Sequence, residues 1–270
     1  MKSIEWFVDG YPLRSGRVRD VEDRSGWHRL TGPSGENLTV PNRSGEIFTP
    51  KRPSPGTTSL RLWLANGNEQ QLLKAWDDLV RICSPLIRQV VLQKRYPDGE
   101  VRQCRAELSG GVAPVPVGRS AMRAQLTFTI PSGMWESATS YSFATTAGSA
   151  LPQRLELPEL APSTAPMENA LIRVVGPITN PQVGWTNPTH GVSSYVKYNG
   201  TVPAGGTLSL DSGTWEIAGS GFTPNKAAVV PTGARLLSIQ PSDTPGLTMT
   251  GIGGGATTRL LVDSKRSFLA

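Results

Sequence analysis

Residues 66–82, Asn66-Gly67-Asn68-Glu69-Gln70-Gln71-Leu72-Leu73-Lys74-Ala75-Trp76-Asp77-Asp78-Leu79-Val80-Arg81-Ile82, form the one long segment of this sequence whose apolar residues recur with a helical period. Leu72, Leu73, Trp76, Leu79, Val80 and the following Cys83 fall on one face of a helix, and Lys74, Asp77, Asp78 and Arg81 fall on the other. Asn66, Gly67 and Asn68 supply turn and N-cap chemistry, Gln71 stands three residues after Asn68 as in a capping box, and Ser84-Pro85 supplies the stop. The remainder of the chain has the rhythm of strands and turns. The expectation is therefore a mainly β protein with one amphipathic helix.

On the N-terminal side of the helix, Thr58, Leu60, Leu62 and Leu64 alternate with Ser59, Arg61 and Trp63, the pattern of a half-buried strand. Trp63 points away from the apolar face, either under a second covering layer or as a candidate subunit contact. On the C-terminal side, Ile87–Tyr96 and Val101–Leu108 flank Pro97-Asp98-Gly99-Glu100, a hairpin signal. Met122, Ala124, Leu126, Phe128 and Ile130 then alternate with polar residues. Residues 1–50 are broken by glycines and prolines into short strands. This order predicts an N-terminal antiparallel β-sheet or barrel over residues 1–137, with the helix as plug or cover. Residues 138–167 are rich in Ser, Thr, Ala and Pro and are expected to be a connector with one or two strands, such as Leu155–Leu157. Residues 168–270 repeat short strands and turns with no helix signal, as in a β-sandwich. The strands expected there include Ala170–Val175, Tyr195–Tyr198 and Thr214–Ile217, with a turn at Asn180-Pro181 and a tight hairpin at Asn199-Gly200.

The 270 residues suffice for two domains, and 29 glycines with 23 prolines fit a turn-rich β protein. The formal net charge is +6; residues 1–137 hold 19 Lys+Arg against 14 Asp+Glu and residues 138–270 hold 8 against 7, so the excess lies in the first half. No run of five or six like charges occurs, and a solvated basic surface is the plain explanation of the excess. The two cysteines, Cys83 and Cys104, suit a helix end and a strand interior as buried free thiols. The first ten residues contain acids and no apolar core of a signal peptide, and no apolar window has membrane-spanning length. A soluble chain made in the cytoplasm, without membrane insertion, is expected.

A search for chemistry finds none to assign. His28 and His190 stand apart from any second His or Cys at ligand spacing, so no metal site is expected. No G-x-S-x-G elbow is present. Asp77/Asp78 and Glu156/Glu159 are the nearest carboxylate pairs for glycoside hydrolysis, but the first sits on the wet face of the helix and the second in the connector. Gly251-Ile252-Gly253-Gly254-Gly255 lacks the Lys-Ser/Thr and the following helix of a phosphate-binding loop and reads as a turn needing positive φ. No catalytic residue, cofactor or metal follows. Trp185, Tyr195, Tyr198 and Trp215 are candidate sugar-stacking residues, with the sandwich core as the alternative place for them.

The order of these features resembles the distal tail protein family of long, flexible-tailed phages. The resemblance is carried by Gly32-Pro33-Ser34-Gly35 through Pro41-Asn42-Arg43-Ser44-Gly45-Glu46, by Ser59–Leu64 leading into the helix, and by Met122–Ile130 ending near Pro131-Ser132-Gly133-Met134-Trp135. In the second half it is carried by Gly176-Pro177-Ile178-Thr179-Asn180-Pro181-Gln182-Val183, Tyr198-Asn199-Gly200, Ala204-Gly205-Gly206 and Leu210-Asp211.

The resemblance implies a hub domain followed by a galectin-like β-sandwich. It also implies a structural virion protein at the distal end of the tail, assembled in the host cytoplasm. A homo-hexamer would form a ring that joins the tail tube protein to the tail-tip or tail-associated protein and the receptor-binding protein, with DNA passing transiently through its channel. The alternatives are a carbohydrate-binding adhesin or β-sandwich module of a cell-wall enzyme, and a tail-tube subunit.

Overall fold

The strand Gly56–Ala65 buries every second residue, Gly56, Thr58, Leu60, Leu62 and Leu64, as its alternating sequence requires. A computed structural model describes residues 4–14, 18–23, 33–36, 38–39, 46–47, 52–83, 87–110, 112, 114–186, 193–232 and 237–270. His28, His190, Ser84-Pro85 and most of the early turn-rich segment lie outside these residues. The chain is mainly β and antiparallel, and its one α-helix among the described residues is Glu69–Cys83. It divides into two compact units, Met1–Ala138 with Leu269–Ala270, and Thr139–Phe268.

In the first unit Gly56–Ala65 pairs along its whole length with Ala121–Ile130, from Gly56↔Ile130 to Ala65↔Ala121, and on its other edge with Val18–Asp23. Met122, Ala124, Leu126, Phe128 and Ile130 therefore share a buried face with Leu60, Leu62 and Leu64. The helix packs against this pair of strands. Asn68 caps it, with its Oδ1 accepting the Gln71 N–H at 2.9 Å, as the sequence predicts.

The buried stripe is narrower than the sequence predicts: Leu72, Ala75, Leu79 and Cys83 are buried, whereas Leu73 is 52 % and Val80 37 % exposed and Trp76 is half-buried. A helix lying on one sheet surface touches it along a single ridge at three- and four-residue spacing, so positions one step further round the cylinder stay at the edge.

The second sheet of this unit holds Glu5–Val8, Val90–Arg95 and Val101–Leu108, in register through Trp6↔Lys94↔Arg102 and Val8↔Leu92↔Cys104. The Pro97–Glu100 hairpin forms as predicted, closed by Tyr96 N–H to Glu100 O at 2.8 Å and Glu100 N–H to Asp98 Oδ1 at 3.0 Å. Its first arm begins at Val90, and Ile87 is 95 % exposed. The free edge of Val101–Leu108 is shared: its start pairs with the strand Met134–Ala144 and its end with Ala121–Ile130.

The sharp turn joining those two partners places Gly133 at φ 65. A Cβ there would stand 2.1 Å from the Ser54 carbonyl oxygen, so glycine is required. Sharing one strand joins the two sheets around a core that includes Trp6 and Trp135, whose rings meet edge to face at 5.9 Å.

In the second unit one sheet contains the later part of Met134–Ala144, then Arg259–Leu269, Leu171–Val175, Thr207–Asp211 and Ile217–Ser220. The other contains Gln153–Glu156, Gly246–Ile252, Ile178–Thr186, Ser193–Tyr198 and Val229–Pro231, with Thr201–Val202 beside Ile178–Thr186. Ile172, Leu208, Leu210, Leu260 and Val262 from the first sheet share one core with Leu155, Val183, Val196 and Met249 from the second, which is a β-sandwich.

Of the expected connector, residues 139–167 group with this unit, and Leu155, Leu157, Leu160, Ala165 and Met167 are buried in it. Most of their Ser, Thr and Pro residues take outward positions between those anchors, whereas Ser163 is buried.

Three local expectations also change. Asn180-Pro181 lies inside the strand Ile178–Thr186, where the register shifts and Asn180 adopts φ 50. The strands flanking Asn199-Gly200 do not pair with each other, because both pair with Ile178–Thr186. Trp215, expected within a strand Thr214–Ile217, lies in a turn.

Candidate assembly and recognition surfaces

Residues facing each other across antiparallel strands point to the same side of the sheet. Val115↔Arg123 and Arg123↔Trp63 therefore place Val115, Arg123 and Trp63 in one row on the outer face of the first unit's sheet. The Arg123 guanidinium lies 4.8 Å from the centroid of the Trp63 ring, a cation–π contact that holds both side chains against the sheet. Arg61 and Val115 on this face are exposed, and Ser59 and Thr127 hydroxyls meet at 3.1 Å beside them. Trp63 thus faces outward, as its strand position predicts, and is half-buried, with the Arg123 guanidinium over its ring. The result is an amphipathic surface with exposed residues at Arg61 and Val115. The adjoining Val117 is 45 % exposed. Sequence reasoning missed Arg123 and Val115, which alternation alone could place outward but only strand register could bring to Trp63.

The four candidate sugar-stacking residues are not gathered together. Trp185, Tyr195 and Tyr198 lie on neighbouring strands of one sheet. Tyr198 is 5 % exposed and packs against Phe222 at 6.5 Å between ring centroids. Trp185 is half-buried and its indole N–H donates to the Ser238 carbonyl at 2.6 Å. Tyr195 is half-buried. Trp215 is in a turn of the other sheet, 48 % exposed and at φ 63, a conformation that costs a bulky residue about 1–3 kcal/mol.

The carboxylates considered for acid–base chemistry are surface groups. Asp77 is exposed, and Asp78 pairs with the exposed Arg81 at 3.2 Å. Glu156 is exposed with Arg154 Nε at 4.0 Å, and Glu159 is exposed. Among the described residues no three His, Cys, Asp or Glu side chains converge as a metal site, and no helix is long and apolar enough to cross a membrane.

The perturbed groups are structural. Asp9 accepts from Arg88 Nη2 at 2.8 Å and from the Val91 N–H at 2.8 Å, and these bonds hold its carboxyl below the usual range against the opposing effect of burial. Cys83 and Cys104 are buried free thiols; burial pushes Cys83 up to about 12, with the Asp9 charge adding, and raises Cys104 further.

No family model matches the sequence, and no curated protein matches it. The two units, with a helix in the first, nevertheless define a fold found in phage adsorption machinery. The solved structure that carries this is the SPP1 Dit (gp 19.1) protein, a hub adsorption protein of Gram-positive infecting phages. It aligns over 99 % of this chain and 100 % of that one at 14 % identity, with a TM-score of 0.65. Chains of the phage P2 baseplate in its activated conformation, with Ca and with Sr, align over 98 % of each chain at 10 % and 11 % identity, with TM-scores of 0.45 and 0.43. The resemblance to distal tail proteins drawn from the order of sequence features thus has a counterpart in the fold of the whole chain.

Proposed function

We propose that this chain is the distal tail hub protein of a long, flexible-tailed phage. The observation that carries the reading is the fold likeness to SPP1 Dit across both units and the full length of both chains. In this role the first unit is the ring-forming hub domain and the sandwich is the galectin-like outer domain. Six copies form a ring at the distal end of the tail. One face joins the tail tube protein and the other carries the tail-tip protein and the receptor-binding protein. The role is structural, in the virion, and calls for no catalysis or cofactor.

Ring closure is a heterologous contact repeated through sixfold rotation, so one surface of each copy meets a different surface of the next. The row Val115–Arg123–Trp63 supports the reading: aromatic and arginine side chains are enriched in such contacts, and this row presents both on one sheet face. A surplus of positive charge in the first half suits a channel that DNA passes without being held.

Size-exclusion chromatography with light scattering tests the assembly. The expected mass is about 170 kDa, six times the 28.9 kDa protomer. A stable monomer that binds glycans defeats the ring and favours an adhesin. Antibody labelling at the tail tip in electron micrographs is the expected localisation, and labelling along the whole tail would favour a tube subunit.

A further inference from the structure

The turn between Thr207–Asp211 and Ile217–Ser220 holds Trp215 in the left-handed region at φ 63 with its side chain 48 % exposed. The turn is tied down on its inner side. Asp211 Oδ1 accepts the N–H groups of Gly213 at 2.9 Å and Thr214 at 3.0 Å, and the Trp215 N–H donates to the Asp211 carbonyl at 2.9 Å. The buried Ser212 Oγ lies 2.7 Å from the Glu168 carbonyl and accepts the Ala170 N–H at 2.8 Å. Glycine would occupy position 215 without strain. Tryptophan there holds an indole in the open at a conformational cost, which directs attention to the ring itself.

The surroundings of the ring distinguish its partners. Among the described residues no other large apolar side chain is exposed in this turn; Thr214 and Glu216, which flank Trp215 in the chain, are exposed, and Asp211 binds the backbone of the turn. A protein interface requires a contiguous apolar centre. A pyranose ring requires one aromatic face for its C–H side and polar groups at the margin for its hydroxyls. Asp211-Ser212-Gly213-Thr214-Trp215-Glu216 carries two carboxylates and no cation, so its charge opposes uronic acid or phosphate groups.

We propose that this turn is a carbohydrate-stacking site with Trp215 as its platform, taking a neutral or amine-bearing sugar. The site does not depend on the hub assignment, since it needs neither a ring nor Trp185, Tyr195 or Tyr198.

The test is affinity electrophoresis of the full chain through native gels containing dextran, mannan or glycol chitosan, with alginate as the anionic comparison. At least one of the first three retards the native chain. Trp215→Gly, which relieves the backbone, melts no lower than the native chain and binds that polysaccharide about tenfold more weakly, the scale of one lost ring contact. Trp215→Tyr retains most of the retardation, and any retardation by alginate is the same in all three proteins. Absence of retardation by all three neutral or amino polysaccharides overturns the proposal, as does equal retardation of native and Trp215→Gly chains. A Trp215→Gly chain altered only in assembly mass marks the ring as a protein contact and also overturns it.

Discussion

At the scale of single residues, the Asp9–Arg88 pair and the buried thiols make opposite statements about charge. Asp9 is ionised in the fold because Arg88 and the Val91 N–H bond its carboxylate. A carboxyl depressed below its unfolded value contributes stability above about pH 4, and that contribution is lost as pH falls through the folded value. Asp9 also adopts φ 49, which asparagine tolerates, so Asp9→Asn changes the charge and spares the backbone. Urea unfolding should find Asp9→Asn less stable than the native chain at pH 7, with the difference shrinking as pH falls through the lowered value of the folded Asp9 carboxyl.

The thiols are neutral because burial disfavours the thiolate. Iodoacetamide at pH 8 should therefore leave Cys83 and Cys104 unlabelled in the folded chain and modify both in denaturant; rapid labelling of the native chain would contradict their burial. Gly133 makes a third residue-scale statement. Gly133→Ala should destabilise the chain by about 2 kcal/mol or more, because it adds a Cβ against the Ser54 carbonyl at a positive φ. A melting temperature equal to that of the native chain would refute this.

At the scale of elements, the helix separates what periodicity shows from what packing selects. Leu79 lies on the buried ridge and Leu73 on the exposed edge, although both belong to the apolar set read from sequence. Leu79→Ala should cost about 2–5 kcal/mol as a cavity mutation, whereas Leu73→Ser should stay within about 0.5 kcal/mol in chemical denaturation. Trp76 is half-buried, so Trp76→Ala should cost about 2 kcal/mol, below the roughly 3–5 of a fully buried aromatic. Equal losses at Leu73 and Leu79 would mean that the helix is rotated from its described position. The strands show the same division. Alternation places the faces of Gly56–Ala65 and Ala121–Ile130, but the pairing of Trp63 with Arg123 needs their register.

At the scale of the whole molecule, each unit has its own buried core, and the fold of the chain is similar to that of SPP1 Dit. The proposed ring then places its demands on the outer face of the first unit. Trp63→Ala removes an outward ring, so thermal melting of the protomer should change by less than about 1 kcal/mol in equivalent stability. The same change should shift the light-scattering mass from the hexamer toward single protomers. A hexamer unaffected by both Trp63→Ala and Arg123→Ala would move the ring contact elsewhere on the hub unit.

Legible in the sequence were the mainly β class, the helix Glu69–Cys83 with its Asn68 cap, the Pro97–Glu100 hairpin and the alternating strands of the first unit. These are short-range matters, decided by periodicity and turn chemistry within about a dozen residues. Only the packing shows which of the helix's apolar residues are covered, that residues 139–167 group with the sandwich, and that Tyr198 is interior while Trp215 stands in the open. Those outcomes depend on strand register and on partners distant in sequence, such as Leu171–Val175 beside Arg259–Leu269. No local pattern encodes a contact whose two halves lie so far apart along the chain.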